Sequence, residues 1–343
     1  MKAMILSGPN LPFVLEQRPD PAAGPGEAVA SVITCGAGLT IQHAKAGRRK
    51  VQFPRIIGHE ITGEIVETGP GVRGLKVGDA VTTYFYLNCG HCRWCLTQLE
   101  PLCENSGGQV GLECDGAYAE YIKLPAQNFI KLPKGLDHKK HAAEIGVVTD
   151  ALATPYKVLR RARVRAGETV AVIGAGGGLG IHQLMMAKWA KARVIAVDTK
   201  PAKFDACRKA GADEVVDASA GRVAEQLLEL TKGQGVDVVV DYVSATATLE
   251  AGARALGKRG RLVTLGGSGK PFNVSAADML NKEQDLLGSR YVTRSEVLES
   301  LGLVARGDVF PLVTVVRPLE QAETVHELVE RGDVIGRAAL RVA

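Results

Sequence analysis

The run Thr169-Val-Ala-Val-Ile-Gly-Ala-Gly-Gly-Gly-Leu-Gly180 constrains this chain more than any other stretch. A β-branched apolar strand passes into a glycine cluster and then, without a break, into a segment of helical length. Gly174, Gly176, Gly177, Gly178 and Gly180, with Leu179 among them, strip side chains from a sharp strand-to-helix turn. Bare backbone N–H groups can then approach a pyrophosphate at a helix N-terminus, where the dipole favours negative charge. About twenty residues on, Arg193-Val-Ile-Ala-Val-Asp198 reads as the next strand and ends in an acid suited to a ribose hydroxyl. A glycine cluster alone says little. Strand, glycines, helix, strand and acid in that order specify a dinucleotide site, and Asp198 selects NAD over NADP by repelling a 2′-phosphate.

Such a unit does not account for the whole chain. At 343 residues the sequence exceeds one ordinary core, so two domains are expected. The 42 basic and 37 acidic residues leave a charge of +5, too small and too dispersed to imply a nucleic-acid partner. The runs Lys45-Ala-Gly-Arg-Arg-Lys50 and Arg160-Arg-Ala-Arg-Val-Arg165 read as solvated faces. The apolar part of Met1–Pro9 is too short for a signal peptide, and no stretch reaches membrane-spanning length. The cysteines are crowded rather than spread as a disulfide framework. A cytoplasmic protein without a membrane partner is expected.

From Met1 to about Pro133 the pattern is short β-type runs punctuated by Gly and Pro, as in Ala28–Thr34, Glu64–Thr68, Ala80–Tyr84 and Ala117–Lys123. Closely spaced strands of this kind predict a compact, barrel-like all-β unit, with no useful helical period before His138. Helix is expected between about His141 and Leu159. Beyond it, strands at Val170–Ile173, Val194–Val197, Glu214–Val216, Val236–Val240 and Leu262–Leu265 alternate with helices at Ala202–Ala210, Val223–Thr231 and Thr246–Leu256. Strands joined by crossover helices make a doubly wound parallel sheet, so the fold class is α/β plus β. The tail ends in Gly336-Arg-Ala-Ala-Leu-Arg-Val342, a terminal strand expected to rejoin the first domain. The expected boundaries are 1–145 (with a lobe at 86–105), 146–288 and 289–343.

Cys89, Cys92, Cys95 and Cys103 follow the spacing C-x2-C-x2-C-x7-C. Four thiolates so close together can close a tetrahedral shell around one zinc and leave no position open to substrate. The surrounding loop has little apolar content, so the metal would supply its folding energy. Iron–sulfur ligation is the competing reading. His91 lies within the cluster as a bystander.

Gly58-His-Glu60 opens a strand-like run after Ile56-Ile57. Histidine is the commonest zinc ligand, and an adjacent glutamate can ligate or tune the ion. Gly58-His-Glu-Ile-Thr-Gly63, Gly69 and Gly78-Asp-Ala-Val81, with the cysteine lobe and the glycine motif in sequence order, resemble the zinc-containing alcohol dehydrogenases of the medium-chain dehydrogenase/reductase family. The resemblance spans essentially the whole chain. It implies a GroES-like barrel domain, a Rossmann domain and a cleft between them, where zinc polarises an alcohol or carbonyl oxygen while hydride moves to or from the nicotinamide. It also implies a homotetramer or homodimer acting on a small alcohol or ketone.

Two departures from the family pattern stand out. Where many members carry Cys-Gly-Val-Cys-His-Thr-Asp, this chain reads Cys35-Gly-Ala-Gly-Leu-Thr-Ile41, which puts Gly38 at the ligand position and Thr40 at the proton relay. Shifting the register to make Cys35 the ligand would put Ala37 at the relay. Where relatives often have a third ligand cysteine, this chain has Asp150, in Thr149-Asp-Ala-Leu-Ala-Thr-Pro-Tyr-Lys157. A similar run occurs in a dehydrogenase of cyclic hydroxyacyl-CoA thioesters. The resemblance therefore implies a catalytic zinc on His59, Glu60 and Asp150. It assigns His43 to the nicotinamide ribose, Lys203 to the adenosine ribose and Arg337 to the pyrophosphate. The alternatives are a hydroxyacyl-CoA-type dehydrogenase, a reductase of conjugated double bonds without catalytic zinc, and a catalytically silent nucleotide-binding protein.

Overall fold

The computed structural model describes residues 1–266 and 269–343. Two compact units make up the chain: Met1–Ala153 together with Val292–Ala343, and the continuous stretch Thr154–Tyr291. The first begins with β1 (Lys2–Leu6), β2 (Phe13–Gln17), β3 (Glu27–Ala37), β4 (Arg55–Ile56), β5 (Ile61–Thr68), β6 (Ala80–Thr83), β7 (Tyr121–Pro125) and β8 (Phe129–Lys131). The second contributes β9 (Thr169–Ile173), β10 (Arg193–Asp198), β11 (Glu214–Asp217), β12 (Val236–Asp241), β13 (Leu256–Thr264) and β14 (Asp285–Gly288). The chain then returns to the first unit through β15 (Val313–Pro318) and β16 (Arg337–Arg341).

In the second unit the sheet order is β11-β10-β9-β12-β13-β14, every pair parallel. β9 is the first strand of the unit, so this is the doubly wound order 3-2-1-4-5-6. Near-continuous apolar strands such as Val170–Ile173 and Val238–Val240 are buried, as strands covered by helices on both faces must be. β13 starts earlier than its apolar run predicts. Lys258 and Arg259, which mask it in the sequence, are exposed at the start of the strand.

The first unit carries a seven-stranded sheet, β15-β16-β3-β5-β6-β8 with β7 on β3, and a three-stranded sheet, β2-β1-β4. β16 runs antiparallel to β3 with Ala338 opposite Ala37 and Ala339 opposite Gly36. This register brings the start of β16 beside Gly38.

Three features of the first unit also differ from the sequence pattern. Leu39–Lys45 is a helix, although no helical period was expected before His138. Two turns bracketed by Gly38 and Gly47 are too short for periodicity to register. Of Ala117–Lys123, only the end from Tyr121 lies in a strand. Gly116, Ala117 and Tyr118 instead donate their N–H groups to the carbonyls of Ile56, Gly58 and Ile57. Lys45 is no solvated charge either: it is buried, with Nζ 2.8 Å from Glu323, while Arg48 forks onto Glu330. Among the described residues, no helix is long and apolar enough to cross a membrane.

Candidate active site and metal centres

The lobe at residues 89–103 brings its four cysteines together. Sγ–Sγ distances are 3.9 Å for Cys89–Cys95, 3.6 Å for Cys92–Cys95 and 3.9 Å for Cys92–Cys103. A tetrahedron of thiolates about 2.3 Å from one ion has edges of about 3.8 Å, so the spacing fits zinc. The cysteines are free thiols rather than disulfides. Backbone N–H groups of Cys89 and Cys92 donate to Cys103 Sγ and Cys89 Sγ, each at 3.4 Å. N–H groups at Cys95 and Glu104 bring the Cys92 thiol down to about 6, which favours the ligating thiolate. His91 turns outward, its Nδ1 2.9 Å from the Cys89 carbonyl.

His59 is delivered by a strained approach to β5. Gly58 sits at φ +100°, and a Cβ there would lie 2.5 Å from the Tyr118 ring and 2.8 Å from Cys35 Sγ. Only glycine meets both demands. The His59 carbonyl accepts from Thr83 Oγ1 at 2.6 Å, and its ring lies 4.2 Å from that of Phe85, centroid to centroid. Asp150 comes from the opposite wall. It sits in a single π-helical turn, Val148–Leu152, between the helices Ala142–Val147 and Ala153–Arg161. Thr62 Oγ1 donates to the Ala142 carbonyl at 2.8 Å, and Gly146 packs 3.0 Å (at a built Cβ) from the Glu60 carbonyl. These contacts clamp the helix against the start of β5. The widened turn then carries Asp150 into the site, a frequent use of π-bulges.

His59, Glu60 and Asp150 are only 2%, 1% and 5% exposed, and each offers a donor atom within 4.8 Å of the others. Arg337, the first residue of β16, reaches between the two acids. Its Nη2 lies 2.5 Å from Glu60 Oε1 and 2.9 Å from Asp150 Oδ2, with Nε 3.1 Å from Glu60 Oε2. Burial pushes the Glu60 carboxyl up, and the guanidinium pulls it back. Burial also opposes the charge on Arg337, but Glu60 and Asp150 outweigh it and raise Arg337 above the usual guanidinium range. The guanidinium therefore stays protonated. With both acids ionised, two carboxylates against one cation leave the buried site formally one positive charge short of balance, which invites a further cation.

Neither ring nitrogen of His59 has a hydrogen-bond partner among the described residues. An imidazole buried with both nitrogens bare loses its hydration without compensation, unless an ion takes a lone pair. One nitrogen and two carboxylate oxygens fit a divalent cation such as zinc. Cys35 does not join this donor group: its thiol faces the Gly36 carbonyl at 3.7 Å, so the shifted register finds no support. Gly38 holds the position beside Arg337.

Thr40 is half-buried on the first turn of the helix Leu39–Lys45. His43, exposed one turn further on, accepts from Arg48 Nε at 2.9 Å. In the second unit Gly174 has φ +77°, and Gly180 packs onto the Gly174 carbonyl more closely than any side chain permits. The Lys203 side chain lies over Gly176, where a Cβ would fall 2.6 Å from its Cδ. Asp198 is nearly buried and accepts from the Gly176 N–H at 2.8 Å and the Lys200 N–H at 3.0 Å, which ties the second strand's acid to the glycine loop. Arg337, which the resemblance assigns to a pyrophosphate, stands here as counter-ion to Glu60 and Asp150. The paired glycines at 36 and 38, opposite β16, were the available signal.

A strand–glycine–helix unit of order 3-2-1-4-5-6, in one chain with a β-rich unit that carries a His–Glu–Asp centre and a four-cysteine lobe, defines a dehydrogenase class. The family model for the alcohol dehydrogenase GroES-like domain matches residues 24–134, and that for zinc-binding dehydrogenase matches residues 178–306. An NAD-dependent alcohol dehydrogenase of Sulfurisphaera tokodaii is 31% identical over 99% of both chains. An acryloyl-coenzyme A reductase of Metallosphaera sedula is 30% identical, again over 99% of both. The crystal structure of the alcohol dehydrogenase from Aeropyrum pernix superposes with a TM-score of 0.91 at 31% identity, covering all of both chains. The chain belongs to the zinc-containing alcohol dehydrogenase family of medium-chain dehydrogenases/reductases, and it is an oxidoreductase.

Proposed function

We propose that the protein interconverts a secondary or cyclic alcohol and its ketone, or an aldehyde, with NAD as hydride acceptor or donor. The observation that carries this reading is the bare, buried imidazole of His59 facing Glu60 and Asp150. Zinc held by these three residues would supply Lewis acidity, making the substrate hydroxyl far easier to deprotonate. Loss of that proton lets the carbinol carbon release hydride to C4 of the nicotinamide. Thr40 passes the proton outward from the first helical turn, and His43, three residues on along the same helix, lies on the same face. Gly174, Gly176, Gly177, Gly178, Leu179 and Gly180 take the pyrophosphate of NAD, and Asp198 and Lys203 take the adenosine ribose. Cys89, Cys92, Cys95 and Cys103 hold a second, structural zinc. The protein is cytoplasmic and assembles as a homotetramer or homodimer on this reading.

The test is NAD reduction with a panel of alcohols. His59→Ala and Asp150→Asn should each cost about 100-fold or more in kcat with the lobe zinc retained, the scale at which an electrostatic stabiliser is lost. Undiminished turnover in both would remove the zinc mechanism. A second reading, reduction of a conjugated double bond in an enoyl thioester, is favoured by Gly38, which offers no thiolate, and by Arg337, which already pairs with both acids. NADH oxidation by such thioesters, undiminished in His59→Ala, would establish it instead.

A further inference from the structure

Gly38 has φ −139° and ψ 178°, extended backbone that any residue adopts. Its lack of a side chain therefore serves space rather than conformation. A Cβ at this position would lie 2.5 Å from Arg337 Cζ and Nη2 and 2.6 Å from Nη1. The guanidinium thus fills the volume a side chain at 38 would take. Gly36 does the same for the other half of the pair, since a Cβ there would collide with Glu60 Oε2. The two glycines on and just beyond β3 form a slot, and the start of β16 fills it with a cation.

The atoms Arg337 engages are those an ion would need. Nη2 alone serves both Glu60 Oε1 and Asp150 Oδ2, and Asp150 Oδ2 is also the carboxylate oxygen 3.8 Å from His59 Nε2. A divalent cation between His59 and Asp150 would stand next to a protonated guanidinium in a buried site, where like charges repel strongly. We propose that Arg337 and the metal ion compete for the same carboxylates. Arg337 is a built-in counter-ion that must leave Asp150 before the metal binds, and Gly38 is what lets it stay. This rests on the reading that His59, Glu60 and Asp150 take a divalent cation.

The competition is measured as Co2+ uptake by the full-length protein with its lobe zinc in place, titrated against a chromophoric chelator. Cobalt on nitrogen and oxygen donors gives weak visible bands without thiolate charge transfer, so lobe exchange is recognised by its intense near-ultraviolet absorption. Gly38→Ala should tighten cobalt binding about tenfold or more, because its methyl crowds out the guanidinium and adds no ligand. Arg337→Gln should tighten it at least as much, and Arg337→Lys, which keeps the charge, by less. Gly38→Cys should tighten it further and add thiolate charge transfer at this site. Unchanged or weaker affinity in folded Gly38→Ala overturns the competition while leaving the metal site itself standing. No uptake beyond the lobe in wild type and in all four variants overturns both.

Discussion

The two clusters of potential metal ligands in the first unit are built on opposite plans. The cysteine lobe draws all its donors from one short segment near the surface, and the Arg93 guanidinium within it pairs with Glu104 rather than with a thiol. The His59 cluster draws on the two residues before β5, a π-helical turn and β16. It is buried, and its acids are already engaged by a guanidinium that lies 277 residues from Glu60 and 187 from Asp150. A lobe with no core of its own depends on its ion to fold. A site inside a packed barrel with its own counter-ion does not, so an ion bound there would be free to serve chemistry.

The contrast is broken most easily at the lobe. Cys92→Ser should abolish one bound zinc and open residues 89–103 to limited proteolysis. The unfolding midpoint should fall by about 10 °C, a loss of several kcal/mol for a domain of this size. Retained zinc stoichiometry and protease resistance would show that the lobe stands without its ion. At the buried cluster the weak point is the cation the chain supplies. Arg337→Ala should lower the unfolding free energy of metal-free protein by about 3–5 kcal/mol in denaturant titration, because two acids are stranded. Saturating divalent metal should restore part of that loss. A variant as stable as wild type would mean the acids are neutral rather than paired.

The smallest effect separates ion loss from weakening of the barrel in acid. His326 is fully buried, donating from Nδ1 to Gln42 Oε1 and accepting from Tyr118 at Nε2, both at 2.8 Å, the arrangement of a neutral ring. Burial, with Lys45 nearby, lowers it to about 3. Because the folded value lies below the unfolded one, its contribution is complete above about pH 6.5 and is lost as the pH falls towards 3. Wild type should therefore lose about 1 kcal/mol more than His326→Gln between pH 7 and about pH 5.5. Equal slopes would remove His326 from the acid response and leave the metal ligands to explain it.

Legibility in the sequence follows the same division. The parallel sheet could be read because each buried strand is a short apolar run and each crossover a helix of ordinary length, as at Val236–Asp241 and Thr246–Ala255. The cysteine lobe could be read because its geometry is set by spacing alone. The two-turn helix Leu39–Lys45 left no period to detect. The counter-ion role of Arg337 left no mark in the sequence around it, since only the pairing of Ala338 with Ala37 reveals what it faces. The resemblance singles out Asp150 as an expected ligand, whereas the widened turn that brings it near His59 and Glu60 has no signature in residue types.

The return of β16 to β3 has a consequence for synthesis. Residues 154–291 form one continuous unit that can fold as soon as it emerges, domain by domain as large chains do. The first unit cannot close until its final strand arrives. During that interval Glu60 and Asp150 have no partner from β16, and they gain one only when Arg337 docks. Docking of Arg337 thereby completes the charge centre, which ties a competent site to the arrival of β16.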